Sequence, residues 1–407
     1  MTSSSRIALS GLNAASAELA VTSNNIANAA TTGFKNSRTE FAEIFAASPQ
    51  SAAATASGGG VRVTNISQEF SQGSIEFTEN TLDVAISGDG FFVVSDGGSL
   101  SYTRAGAFEL DREGYVVNSA GNRLQVYQPI ATGGFNTGAL SDLQLVTTES
   151  APSPTTSIDL TANLPATAAL PGTPTFDPTD PTSYNNATSL TVYDSLGAAH
   201  TASLYFVRTA TANTWDTYQY IDGVAVGGVQ PLAYTSAGAL ATPANGQLSF
   251  GTYTPTTGAN PISMDFDFSL STQFGDGFGV TNVTQDGYTT GRLIGISLDS
   301  TGVVQARYTN GRSLSLGQVA IASFANPQGL QSLGNTNWAE TFTSGQALNG
   351  QAGNSGFGLV QSGSLEQSNV DITAQLVKMI VAQRNFQANA QMISTEDQIT
   401  QSIINIR

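Results

Sequence analysis

The spacing of apolar positions changes twice along this chain. Over residues 5–29, Leu12, Leu19 and Ile26 recur every seven residues, with Leu9, Ser16 and Ser23 on the adjoining seam. That spacing predicts an amphipathic helix with one strong and one weak heptad position. Ala14, Ala15, Ala17 and Ala20 fill much of the remainder and would let another helix approach closely. An ordinary core-facing helix also explains three heptads. Asn24, Asn25 and Asn28, followed by Thr31, Thr32, Gly33 and Phe34, read as the helix exit, because Asn and Gly accept the left-handed backbone that ends helices. The small-residue run 46–60 reads as a linker.

From Val61 the pattern becomes that of strands. Apolar runs at Leu82–Ile86, Phe91–Val94, Tyr115–Val117 and Leu124–Tyr127 alternate with Asp-Gly, Gly-Gly and Ala-Gly turns, which predicts an all-β domain. Residues 147–190 hold half of the prolines and mark a boundary. Strand-like runs resume at Leu190–Tyr193, Leu204–Val207, Trp215–Ile221 and Met264–Phe268, a second β body. The stretch from Gly287 to Ile321 is strand-like and returns to the first body, and Phe342–Gly363 is glycine-rich and loose.

The segment 364–407 contains neither glycine nor proline, although the chain holds 42 and 14 of them. It predicts one long helix starting near Ser368 or Asn369, with Asp371 in the first turn, where the helix dipole favours an anion. Ile372, Leu376, Met379, Phe386, Ala390 and Ile393 follow three- and four-residue spacing, and the stripe then shifts to Ile399, Ile403 and Ile406. Such a helix spans roughly 55 Å. A stripe that long needs another long helix, from the N-terminus or from a neighbouring chain. The fold class is therefore mainly β with α-helical termini: long terminal helices forming a coiled-coil-like inner domain, plus two nested β-domains.

Composition narrows the function. Charged residues are 11% of the chain, and the net charge is −16 with 14 Lys+Arg. A chain with so few cations and no basic patch is a poor match for nucleic acid or an anionic membrane. Its neutral polar surface suits extensive packing of copies, since few long charged side chains would have to be desolvated. No cysteine is present, so disulfides and thiolate chemistry are excluded. Neither a signal peptide nor a membrane span is visible; Ile7-Ala8-Leu9 after Arg6 is too short for a leader core.

Candidate chemistry is sparse. His200 is the single histidine, and Asp194, Ser195 and His200 lie too close in sequence to form a hydrolase triad easily. A partly exposed strand histidine is the simpler reading. Asp265 and Asp267 alternate with Phe266 and Phe268 as an outward face would. Gly88-Asp89-Gly90 and Gly275-Asp276-Gly277 lack the rest of a calcium loop. No catalytic residue, cofactor or metal site is expected.

Both ends carry longer motifs. They are Ala8-Leu9-Ser10-Gly11-Leu12-Asn13-Ala14 through Asn24-Asn25-Ile26-Ala27-Asn28 and Thr32-Gly33-Phe34-Lys35-Asn36-Ser37-Arg38, then Gly363-Ser364-Leu365-Glu366-Gln367-Ser368-Asn369-Val370-Asp371 through Met379 to Asn389, ending Ile403-Ile404-Asn405-Ile406-Arg407. In that order they resemble the bacterial flagellar rod–hook axial protein family. Gly88–Val94, Tyr102–Phe108 and Gly114–Asn118 look like the β-domain of its hook and distal-rod members. Length, and Val192–Gly197 with Leu204–Val207 and Trp215, resemble the outer domain of its hook members.

The resemblance implies a structural subunit that self-assembles helically into a flexible tubular universal joint, carrying torque from rod to filament. It implies homopolymer contacts with other hook subunits. Further expected partners are the distal rod, hook–filament junction proteins, a hook cap and the flagellar type III export apparatus, with no nucleic acid and no membrane insertion. It implies an extracellular place in the flagellum, in the basal body and hook, reached without a cleaved signal peptide. Residues 1–30 and 364–407 would form the inner polymerisation domain, and 31–70 and 343–363 hinge segments. Residues 71–146 and 286–342 would form the first β-domain, and 147–285 the inserted outer one. Assembly contacts fall on Leu9, Leu12, Leu19, Ile26 and the C-terminal stripe, and the hinge on Asn24, Asn25, Asn28, Gly33 and Phe34. A distal-rod or other axial subunit, or a secreted β-rich adhesin or polysaccharide-acting protein, are the alternatives.

Overall fold

The computed structural model describes residues 3–44, 58–131, 133–145 and 149–405. Most of the expected linker, and Ile406, lie outside the described residues. The chain is mainly β, with a helix α1 (Ser3–Ala27) at one end and a helix α2 (Ile372–Asn405) at the other. It divides into two compact units, one of residues 1–147, 295–307 and 313–407, the other of residues 148–294 and 308–312.

In the first unit, strands from early and late in the chain share one sheet. Ser313–Ser323 pairs with both Arg123–Tyr127 and Phe91–Asp96. The run Phe91-Phe92-Val93-Val94 is apolar without alternation because both faces of this sheet are covered. Phe92, Val94, Val126 and Ile321 enter one core, and Phe91, Val93, Tyr127 and Ala320 the other. Two short ladders then return the chain to its beginning: Val84–Ser87 with Leu359–Ser362, and Ile75–Phe77 with Ser364–Glu366.

Three segments hold structure beyond their sequence reading. Within 31–70 the chain makes an antiparallel pair, Ser37–Glu43 with Val61–Gln68. Within 343–363, Leu348–Gln351 adds to the edge of Ser313–Ser323. Residues 364–366 are strand, and α2 begins at Ile372 rather than near Ser368 or Asn369. Absence of glycine and proline permits a helix but does not start one. Asp371 starts it, by accepting the amides of Thr373 at 2.8 Å and Ala374 at 3.2 Å. Asn369 cannot cap, because its side chain is bonded to the Glu69 carbonyl, Ser71 and the Asn36 amide.

The second unit holds two sheets around one core. Asn186–Tyr193, Ala199–Arg208, Thr214–Ile221, Val224–Tyr234 and Leu240–Thr242 form a five-stranded sheet in chain order. Gln247–Tyr253, Ile262–Asp267, Ser157–Asn163 and Gly279–Gln285 form a four-stranded one. Alternate residues of each, among them Leu204, Phe206, Trp215, Met264 and Phe266, fill the space between. Asp265 and Asp267 point away from this core, as their alternation suggested. His200 is a correction: it is buried, not partly exposed, because Asp194 and Asp222 flank its ring.

At Gly227 the two sheets approach closely. Its φ is +66°, and a Cβ there would overlap the Phe250 carbonyl oxygen. Gly227→Ala is expected to destabilise the second unit by at least ~1–3 kcal/mol from backbone strain alone. Urea unfolding followed by the fluorescence of buried Trp215 measures this; an unchanged midpoint would contradict the packing.

Candidate assembly site

The two terminal helices pack together. Asn25 Nδ2 lies 3.4 Å from Gln375 Oε1, and a Cβ on Gly11 would stand 2.6 Å from Asn389 Oδ1. These contacts are fourteen residues apart on both helices and run in opposite order, so the pair is antiparallel and in constant register. Gly11 is where the backbones need the space of a missing side chain.

The seam has heptad spacing, but its deepest positions are small or polar. On α1 they are Ala8, Ala15, Thr22 and Asn25. Leu12, Leu19 and Ile26 are half-buried on the flank of that row, and Leu9 is exposed. On α2 the row is Gln375, Met379, Ala382, Phe386, Asn389, Ile393 and Glu396, alternating by four and three residues. Ala390 is half-buried beside it, while Ile372, Leu376 and Ile399 are exposed. Ile403 lies in the helix, and its side chain is not among those described. The leucines marked the period of α1 correctly but sit one position off its axis, since alanine permits the closer approach.

Turned away from α1, α2 carries a second apolar face. It lies in the first turns, where Leu376, Val377, Ile380 and Val381 are each about half exposed; Ile372 sits on the heptad line of Met379 and Phe386, and Met392 and Ile399 flank the seam. At 34 residues α2 is ~51 Å long, against ~37 Å for the 25 residues of α1. In the observed register the last turns of α2 project past the start of α1.

Where the helices meet the β-body, a buried polar cluster joins them. Lys35 Nζ is 2.6 Å from Glu366 Oε1, and Arg104 Nη1 is 3.2 Å from Glu366 Oε2. The Lys35 and Glu366 side chains are fully buried. Lys35 also donates to the Ser71 carbonyl at 2.7 Å, and the Gly73 amide donates to Glu366 at 2.9 Å. Burial lowers the pKa of both Lys35 and Arg104, against the Glu366 carboxylate, which raises them. One carboxylate thus ties the exit of α1, the approach to α2 and the strand end at Arg104. Around it, Asn25 bonds both backbone groups of Ser37, and Gln375 donates to Asn36.

The residues expected at the helix exit surround this cluster. Gly33 has φ +69°, donates its amide to the Glu366 carbonyl at 2.8 Å, and leaves no room for a Cβ against the Ala105 backbone. Asn25 is buried, Phe34 half-buried, and Asn28 caps the helix end by bonding the Asn24 carbonyl at 2.9 Å. Sequence reasoning missed Lys35, Arg104, Glu366 and Gln375. The available signal was the placement of charges: in a chain this poor in them, three lie inside apolar or small-residue motifs.

Four family models match the chain. They are "Flagella basal body rod protein" over residues 6–35, "Flagellar hook protein FlgE/F/G D1 domain" over 85–164, "Flagellar basal body protein FlaE D2 domain" over 160–288, and "Flagellar basal body rod FlgEFG protein C-terminal" over 361–406. The flagellar hook protein FlgE of Salmonella typhimurium is 40% identical, over 98% of this chain and 99% of its own. That of Borreliella burgdorferi is 32% identical, over 98% of each. Among solved structures, Helicobacter pylori flagellar hook protein FlgE2 matches in fold, with TM-score 0.55 and 15% identity, over 72% of this chain and all of that one.

Glu366→Ala would leave two cations buried without their partner. Losing one side of a buried pair typically costs about 3–5 kcal/mol. Urea unfolding of the full chain should show a loss of that size; a change below ~1 kcal/mol would contradict the role assigned to the cluster.

Proposed function

The chain belongs to the flagellar hook protein family, and from that premise we propose that it polymerises through the outer apolar face of α2. It is a structural subunit of the flagellar hook, not an enzyme, and its family supports self-assembly and association with the rod. The observation that carries the proposal is the second face of α2. A helix apolar on one side needs one partner. This helix has α1 on its seam and a further row of half-exposed isoleucine, leucine and valine on its other side. In a polymer of one protein, the partner for that row is a second copy.

The low content of charged side chains supports the same reading, because little has to be desolvated as copies pack. Terminal helix pairs would stack as the inner layer of a tube, with the β units outside. Bending arises as subunits slide against one another, while the Lys35–Glu366–Arg104 cluster keeps each helix pair fixed to its own β-body. Segments 31–70 and 343–363 take up the remaining movement beside it. The tube then serves as a universal joint that carries torque from rod to filament. The finer partners of this reading are the distal rod, the hook–filament junction proteins, the hook cap and the type III export apparatus, and its place is outside the cell.

Val377→Asp combined with Ile380→Asp tests the face. Both residues are exposed in the single chain, so stability should change by no more than ~0.5 kcal/mol per site. In the polymer each aspartate would be buried without a partner. Electron microscopy should show no tubes from a variant whose helix content and unfolding midpoint match the parent. Tubes of normal yield would refute the proposed face.

A further inference from the structure

His200 is the only histidine in the chain. It lies on the strand Ala199–Arg208 of the second unit and is 7% exposed. Its Nδ1 is 2.6 Å from Asp222 Oδ2, and its Nε2 is 3.3 Å from Asp194 Oδ2. Both carboxylates are held independently of the ring. Asp194 accepts the amides of Leu196 at 2.9 Å and Ala198 at 2.8 Å, and the Thr257 hydroxyl at 2.9 Å. Asp222 accepts the Thr201 amide at 2.9 Å and the Tyr253 hydroxyl at 3.4 Å. Tyr253 also packs edge-on to the imidazole, 5.7 Å between centroids. The titratable groups facing His200 are therefore Asp194 from the turn after Tyr193, Asp222 from the turn after Ile221, and Tyr253 from the opposite sheet.

A neutral imidazole has one N–H. It can donate to one carboxylate and must point a lone pair at the other. An imidazolium donates to both. Carboxylates on opposite ring nitrogens thus select the charged ring. We propose that His200, as an imidazolium between Asp194 and Asp222, is a pH-sensitive fastener of the second unit, which loosens as the ring loses its proton. It joins both turns to the segment carrying Tyr253 and Thr257. The Asn260 amide, donating to Ser195 Oγ at 2.9 Å, ties the same segment to the first turn.

The direction follows from linkage. Burial lowers the His200 pKa, but bonds and charge from Asp222 and Asp194 outweigh it and raise the value overall. A group raised on folding stabilises fully below its ordinary value, here 6.5, and loses that contribution as pH rises through the folded value. Burial raises the two aspartates, but the hydrogen bonds they accept lower them overall. Their contribution is present above the ordinary 3.8 and is lost as pH falls through the folded values. The fastener is strongest between these limits and releases on the alkaline side.

Because one histidine is present, proton NMR of the full chain gives one set of imidazole signals needing no assignment. The titration midpoint should lie above 6.5, and Asp222→Asn should move it down by roughly one unit or more. The urea midpoint of the parent should fall between about pH 6 and pH 9, and that of His200→Gln should stay level over the same range. A parent titration midpoint at or below 6.5, or a His200→Gln variant that loses stability with pH as the parent does, would overturn the proposal.

Discussion

One carboxylate holds this molecule's ends to its body. Glu366 is buried between Lys35 and Arg104, and each of the three comes from a different part of the chain. Burying charge is costly, and each of these groups is tolerable only with the others in place. The cluster therefore fixes a geometry more than it adds net stability. It joins the chain leaving α1, the strand that leads to α2, and the strand end at Arg104. An apolar junction could be as stable, but it would leave the direction of two long helices less tightly defined.

That direction matters because the helix pair is thin. Its seam is built from alanine, threonine, asparagine and glutamine as much as from Phe386 and Ile393, so it brings backbones close without burying a large apolar surface. Two helices packed this way do not satisfy α2, whose outward row stays uncovered. In the proposed polymer a second copy covers that face. Each β unit has its own core, and in the second the two sheets approach closely at Gly227, with His200 bonded between Asp194 and Asp222.

Much of this was legible in the sequence. Helical ends around a β middle followed from period and from where glycine and proline fall. The long tail announced a helix because nothing in it forbids one, and the heptads of α1 gave the correct repeat. The misses have a common cause. Leu12, Leu19 and Ile26 were taken as the seam because hydrophobicity marks burial, whereas packing distance favoured Ala8 and Ala15. Gln375 and Asn389 sit in the seam although polar, since partners across it occupy them or the space beside them. Glu366 was given no role, and His200 was read as a partly exposed strand residue, because their partners Lys35 and Asp222 lie 331 and 22 residues away. Local pattern carries period and breakers. It does not carry which distant charge will meet which.

The central claim is that the chain assembles through the outer face of α2 while its buried cluster stays intact. A cryo-electron microscopy reconstruction of the assembled tube tests this most directly. The proposed face predicts that Leu376, Val377, Ile380 and Val381 contact a neighbouring chain, with α1 still on the opposite side and Lys35 still bonded to Glu366 in every subunit. A tube in which that row faces solvent, or in which the Lys35–Glu366 pair has separated, would contradict it.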